Sequence, residues 1–270
     1  MPNWCANSMI VKGNGKDVKT FIKENFRSNV YGEKKDKILY ELDFEQFDPT
    51  PIDEKTGEII DDWYNWRLEH WGCKWSCCGD QIISLEVDID GDEKRYYDLH
   101  TGIDDEMFSE ELVDKLGDDN NMKLELQCYY DTPWGPPEGI FMQWSEKYKE
   151  LDLEVSLKFY EPGMVFAGEL WFSKDENYAI SVDDTDRVEW VKYLLKEGWE
   201  SVEWYIDECL DMIREMEDEK VAEQLVPKVT EVLSTANDEQ AATLIADIFD
   251  KYYKWLHEPK EDDDHEPSKE

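Results

Sequence analysis

His70, Cys73, Cys77 and Cys78 crowd into one short stretch, and imidazole with thiolates is the usual donor set of a tetrahedral zinc site. The spacing matches no common zinc pattern, and no second paired ligand set stands nearby, so Cys5 or Cys128 would have to be delivered by the fold. The expectation is therefore free, mainly buried thiols beside aromatic rings, with no metal and no cofactor. Asp88-x-Asp90-x-Asp92 opens like a calcium loop, but an EF-hand needs glycine at its sixth position and glutamate at its twelfth. Here Gly91 is fourth and Leu99 twelfth, so the segment reads as a hairpin turn. His70 with Asp131 or Glu138 would make an acid–base pair. No nucleophile elbow, phosphate-binding glycine loop or His-Glu-x-x-His motif accompanies it, and no catalytic residue is assigned.

Aromatic rings are the next candidates. Trp63, Trp66, Trp71 and Trp75 lie within thirteen residues, and Trp134 follows later. Exposed rings of this kind stack bases or nucleotides. Trp66, His70, Trp71, Lys74, Trp75 and Trp134 thus define a candidate pocket for a nucleotide or small anion, with Arg67 and Lys74 as its cations. The competing role, and the favoured one, is packing the sheet against its helices.

The carboxylates outnumber every other candidate. The chain has 270 residues and a formal charge of −38, from 67 Asp plus Glu against 29 Lys plus Arg. Its twelve Trp and fourteen Tyr are payloads that disordered acidic chains lack, so a folded protein with a negative surface is expected. Such a surface repels phosphate backbones and anionic lipid over about 8 Å at physiological salt. Direct nucleic-acid binding is disfavoured. No apolar run approaches a membrane span, and the opening Met1-Pro2-Asn3-Trp4 carries no secretory signal, so a cytoplasmic location is expected. Glu203, Asp207, Asp211, Glu215 and Asp218 recur at about one-turn intervals and would line one helix face. Spaced carboxylates on a rigid scaffold can imitate a phosphate array, and a basic partner would also relieve their mutual repulsion.

The elements that must position these groups follow from periodicity. Trp4–Val11 reads as a strand ending at Gly13-Asn14-Gly15, and Val18, Phe21, Ile22 and Phe26 recur at helical spacing. Residues 28–62 read as a polar loop. Ile83, Leu85, Val87 and Ile89 alternate, with Tyr96-Tyr97 on the return strand of a hairpin, and a short helix is expected over Ser109–Leu116. Met122 to Tyr130 alternates as a half-buried strand, and Ile140, Phe141, Trp144, Tyr148 and Leu151 form a helical stripe behind Pro136-Pro137. Val155 to Phe159 and Met164 to Phe172 make a second hairpin around Pro162-Gly163. From about Asn177 the pattern turns helical: a helix ending at Gly198, one capped by Ser201, one kinked or split at Pro227, and a last one capped by Asp238. The order is that of an α+β, ferredoxin-like split βαβ sandwich with insertions, followed by an all-α C-terminal extension. The domains expected are 1–180 (insertion 28–62), a helical acidic extension over 181–258, and a disordered acidic tail over 259–270.

Four motifs then occur together: Met1-Pro2-Asn3-Trp4-Cys5-Ala6-Asn7; Asn65-Trp66 with His70-Trp71-Gly72-Cys73-Lys74-Trp75; Thr132-Pro133-Trp134-Gly135-Pro136-Pro137; and Tyr160-Glu161-Pro162-Gly163 through Phe166-Ala167-Gly168. The set resembles the YubB-type ferredoxin-like family of phage, prophage and plasmid proteins over residues 1–175. Cys77-Cys78, the 28–62 segment and the helices after 180 lie outside the family pattern. The resemblance implies a fold and a mobile-element origin but no activity to inherit. The expected function is non-enzymatic: binding and inhibition of a host defence or nucleic-acid-handling protein with a basic surface, the acidic helix face making the contact.

Overall fold

The computed structural model describes residues 3–31, 37–89, 93–98, 122–217 and 219–257. The described residues form a mixed α/β structure with eight α-helices, a seven-stranded sheet and a two-stranded sheet. Contacts divide the chain into two compact units, Met1–Ser181 and Val182–Glu270.

In the first unit, β1 (Trp4–Asn14) buries Cys5, Asn7, Met9 and Val11 while the intervening residues stay at least partly exposed. That period of two commits one face of the sheet to the core. Asn14 then caps α1 (Gly15–Asn25), its side-chain oxygen accepting the Asp17 N–H at 3.0 Å, and α1 buries Val18, Phe21 and Ile22.

The 28–62 segment is more ordered than its polarity predicts. Strands β2 (Phe26–Tyr31) and β3 (Lys37–Leu42) pair antiparallel, and helices α2 (Phe44–Phe47) and α3 (Trp63–His70) follow. Sparse apolar anchors suffice, because Phe26, Tyr40, Leu42 and Phe44 all enter the core. Gln81 also fixes the hairpin, accepting the Leu42 N–H at 2.8 Å and donating to the Leu42 carbonyl at 3.0 Å.

Strands β4 (Cys78–Ile89) and β5 (Glu93–Asp98) pair antiparallel, as the alternation predicts. The turn acids Asp90 and Asp92, and the expected helix over 109–116, lie outside the described residues. The chain continues through β6 (Lys123–Pro133), α4 (Glu138–Tyr148), β7 (Leu153–Glu161), β8 (Phe166–Phe172) and β9 (Asn177–Asp183). The strand order is β5-β4-β6-β1-β7-β8-β9, with β1 antiparallel to both β6 and β7 and β4 antiparallel to β6. Helices α1 and α4 meet through polar atoms inside the core. The Trp144 indole donates to Asn25 Oδ1 at 2.7 Å, and Asn25 Nδ2 donates to the Tyr148 hydroxyl at 2.8 Å. The other sheet face is mixed, with Tyr129 and Ile82 exposed and Lys12 paired to Glu125 at 3.2 Å.

The expected switch to helices at Asn177 comes too early. Strand β9 runs to Asp183, returning from β8 through a tight turn in which the Ser173 N–H donates to the Glu176 carbonyl at 2.8 Å.

The described residues of the second unit hold four α-helices: α5 (Arg187–Glu197), α6 (Val202–Met216), α7 (Glu219–Thr235) and α8 (Asp238–His257). Gly198 ends α5 in the left-handed region, and the Ser201 hydroxyl caps α6 by accepting the Trp204 N–H at 3.1 Å. Pro227 sits inside α7 and does not split it. One expectation is corrected: the side-chain cap of α8 is Asn237, which accepts the Gln240 N–H at 3.0 Å. The core of this unit is formed by Trp190, Val191 and Leu194 of α5, Tyr205, Cys209 and Ile213 of α6, and Ile245, Ile248 and Phe249 of α8. Among the described residues no helix is long and apolar enough to cross a membrane.

Candidate functional site

Helix α6 buries one stripe and leaves its acids outside. Glu203, Asp207, Asp211 and Glu215 are all exposed, as is Glu208, an acid that the four-residue spacing passes over. Asp218 lies outside the described residues. Two of the four already have intramolecular partners: Arg214 reaches Asp211 at 2.6 Å, and the Tyr252 hydroxyl donates to Glu215 at 2.5 Å. The α6 face is thus a row of carboxylates with one arginine among them, and Glu203, Asp207 and Glu208 are its most available charges. Exposed ion pairs contribute little stability, so these acids can exchange partners at low cost.

Of the six aromatic-pocket candidates, Trp66 meets both His70 and Trp71, the two indoles edge to face at 5.9 Å. Trp71 is fully buried, its indole donating to the Asp48 carbonyl at 2.9 Å. Trp66 lies stacked on His70, with ring centroids 4.0 Å apart. Lys74 sits over Trp75 at 4.3 Å and Tyr64 at 5.7 Å, so its charge already faces two rings. Trp134 is exposed on the loop after β6 and makes no ring contact among the described residues.

The carboxylate partner of His70 is Asp48, at 3.0 Å from Nδ1, not Asp131 or Glu138. Gln143 Nε2 donates both to Asp48 at 2.9 Å and to the His70 carbonyl at 2.8 Å, tying α4 to the end of α3. Beside this group, Arg67 donates to Thr50 at 2.9 Å and Glu45 at 2.6 Å, and its guanidinium lies over Trp63 and Trp71. A carboxylate on Nδ1 holds an imidazole in the tautomer that leaves Nε2 able to accept a proton. Among the described residues no serine or cysteine side chain is hydrogen-bonded to that ring. Asp48, Thr50, Glu45 and Gln143 carry no local sequence signal for this role, since they reach α3 from 17 to 73 residues away along the chain.

The four sequence motifs converge. The Trp134 N–H donates to the Asn3 carbonyl at 2.9 Å, Trp4 pairs with Pro133, Ala6 pairs with Tyr160, and Gly163 packs on the Asn3 side chain. The His70 motif joins through two glycines. Gly72 has φ +82°, and a Cβ built on Gly139 would lie 2.4 Å from the His70 carbonyl oxygen. Gly139→Ala is expected to force α3 and α4 apart and destabilise the first unit by about 1–3 kcal/mol, measured by urea unfolding. At the same end Trp134 (φ 73°) and Val165 (φ 58°) occupy the left-handed region, which is unfavourable for a β-branched residue above all. Trp4, Trp134 and Met164 are exposed there.

Burial disfavours the thiolate form of the cysteines. Cys5, Cys73 and Cys128 are buried, and burial pushes each well above the ordinary thiol range; Cys209 is pushed up to about 12 for the same reason. No three of His, Cys, Asp and Glu among the described residues gather where they could hold a metal ion. Asp131 is raised from its ordinary 3.8 by burial. A carboxyl raised in the folded state binds more protons there than when unfolded, so stability falls as pH rises through its two pKa values. Asp131→Asn is accordingly expected to raise the melting temperature at pH 7, with the gain vanishing below about pH 4, measured by thermal unfolding across pH.

The sheet and its helices define the class, and one comparison extends it. A family model described as the ferredoxin-like domain in Api92-like protein matches residues 115–221. The match is shorter than half the chain and runs from before β6 through α6, so it takes in the first two C-terminal helices. It passes the limit near residue 175 to which the sequence motifs extend. No curated protein and no solved structure gives a significant match.

Proposed function

We propose that this chain is a phage- or plasmid-type protein of the YubB kind that binds and inhibits a basic host protein in the cytoplasm without catalysing a reaction. The scaffold is read as a split βαβ arrangement in which β1-α1-β4 and β6-α4-β7 interleave, followed by a helical extension. The target is a defence or nucleic-acid-handling factor whose phosphate-binding surface accepts carboxylates in place of phosphates. The observation that carries this reading is the α6 face: five exposed acids on a rigid, capped helix, with Arg214 as their only basic neighbour on it. Residues 181–270 hold 27 acids and 10 bases, and residues 1–180 hold 40 and 19, so both parts of the chain add to the attraction. The pocket reading, a nucleotide or small anion bound among Trp66, His70, Trp71, Lys74, Trp75 and Trp134, gains less support, because Trp71 is in the core and Lys74 is already engaged.

Capture from host lysate tests it. The full chain as bait is expected to retain a basic protein at low salt and to release it as salt rises. No retained protein at low salt, or a micromolar tryptophan quench by a nucleotide that Trp75→Ala abolishes, would contradict it.

A further inference from the structure

Strand β9 is the outermost strand of the described sheet on one side, and six of its seven residues are exposed, Val182 alone being half-buried. Its sequence, Asn177-Tyr178-Ala179-Ile180-Ser181-Val182-Asp183, contains no lysine or proline. Those are among the devices by which natural sheets blunt an open edge. Tyr178 and Ile180 are 44% and 45% exposed, and Tyr178 is stacked on Trp171 of β8 with centroids 5.2 Å apart.

The backbone orientation follows from two contacts. The turn closes between Ser173 and Glu176, and the Ile180 carbonyl is directed at Gly168 of β8, so close that a Cβ there would lie 2.2 Å from it. Only glycine permits that approach. In an antiparallel pair, successive residues turn their N–H and C=O groups to alternate sides. With Ile180 turned onto β8, Ala179 and Ser181 present theirs to the outer side.

Charge selects what pairs there. The strand is flanked by Asp175 and Glu176 before it, and by Asp183, Asp184 and Asp186 at its end. Pairing with a second copy, in either direction, would set acids against acids, in a chain that already carries −38. A segment with small and β-branched residues between basic ends meets both requirements, the hydrogen bonds and the charge.

We infer that β9 is a strand-addition site that takes an extended, basic-flanked segment of a partner protein along Ala179 and Ser181. The inference rests on the basic-partner reading but assigns a contact distinct from the α6 face. The test uses the full chain and labelled peptides of the form Lys-Lys-Thr-Val-Thr-Ile-Thr-Lys-Lys, read by fluorescence anisotropy. Ala179→Pro removes one outward N–H while leaving the β8 side intact. It is expected to weaken binding about tenfold, and N-methylation of the peptide at Val should do the same without altering the protein. The E203Q/D207N/D211N variant, which alters the acidic α6 face and not the strand edge, is measured beside them to separate the two contacts. Peptide that fails to bind, or that binds Ala179→Pro and the N-methylated form unimpaired, overturns the inference. Loss of binding in the α6 variant alone would overturn it too, while leaving the α6 reading standing. A dimer of the chain that Ala179→Pro converts to monomer would show the occupant to be a second copy and overturn it as well.

Discussion

Trp144→Ala is expected to destabilise the first unit by about 3–5 kcal/mol and to lower its melting temperature by roughly 10 °C or more. Trp144 is fully buried, and the rings of Phe21, Phe44, Phe47 and Phe141 all pack around it at 5.2–6.5 Å. Alanine would leave a cavity where five aromatic residues now meet, and it would also remove the donor to Asn25 Oδ1. A buried acceptor left without its donor adds its own penalty. Asn25 would keep its bond to Tyr148, whose hydroxyl donates to Glu24 at 2.9 Å, so the damage is centred on the α1–α4 contact. Trp144→Phe keeps most of the volume but not the donor, and an intermediate loss is expected. The two variants, compared by calorimetry, separate the packing contribution from the hydrogen bond. A loss below about 1 kcal/mol for alanine would mean that this contact does not hold the sheet and helices together.

How far the sequence reveals the fold depends on how strongly each segment repeats. Leu124, Leu126, Cys128 and Tyr130 alternate with exposed or half-exposed residues, and all four face the core of β6. The α4 stripe is equally legible, since Ile140, Phe141, Trp144 and Tyr148 are the residues that helix buries. Helix α3 is different. It contains no fully buried residue, and Trp63 and Trp66 share their half-buried face with Arg67 and His70 while Tyr64 and Leu68 are exposed, so no purely apolar face marks it as a helix. The hairpin β2–β3 is hidden for a related reason: it enters the core through only a few residues, and Gln81 from β4 completes its fixation. Strand β9 is exposed on both faces and so carries no burial pattern to read.

The candidate sites divide in the same way. Acids on one helix are a local property, and the α6 row is where its four-residue spacing puts it, apart from Asp218, which is not described. A pocket made of tryptophans is not a local property. Trp66 and Trp71 are five residues apart and their rings meet edge to face at 5.9 Å, yet α3 ends between them, so Trp66 stays half-buried on His70 while Trp71 is wholly inside the core. The Asp48–His70–Gln143 group needed three distant segments to meet, and nothing in the spacing of His70 announces it.

The second large effect is on binding. Neutralising the acids that α6 leaves most available, with Asp211, in E203Q/D207N/D211N is expected to weaken a basic partner by about 10–100-fold at low salt, at roughly 0.5–1 kcal/mol for each exposed charge. The fold should be unaffected, because all three side chains are exposed and α6 keeps its Ser201 cap and its buried Tyr205, Cys209 and Ile213. Removing like charges from one face should leave the second unit as stable as before or slightly more so. The loss should lie mainly in the association rate if the face steers the encounter, and in the dissociation rate if the acids end up desolvated in the complex.

The most direct test of the acidic-face account is the salt dependence of that complex. The dissociation constant of the captured partner is measured for the parent chain and for E203Q/D207N/D211N from about 50 to 500 mM NaCl, a range over which the Debye length shrinks to a few ångströms. The predicted result is a steep loss of affinity with salt for the parent, and a weaker complex with a visibly shallower slope for the variant. A parent complex indifferent to salt, or a variant that binds with the parent's affinity and slope, would contradict it.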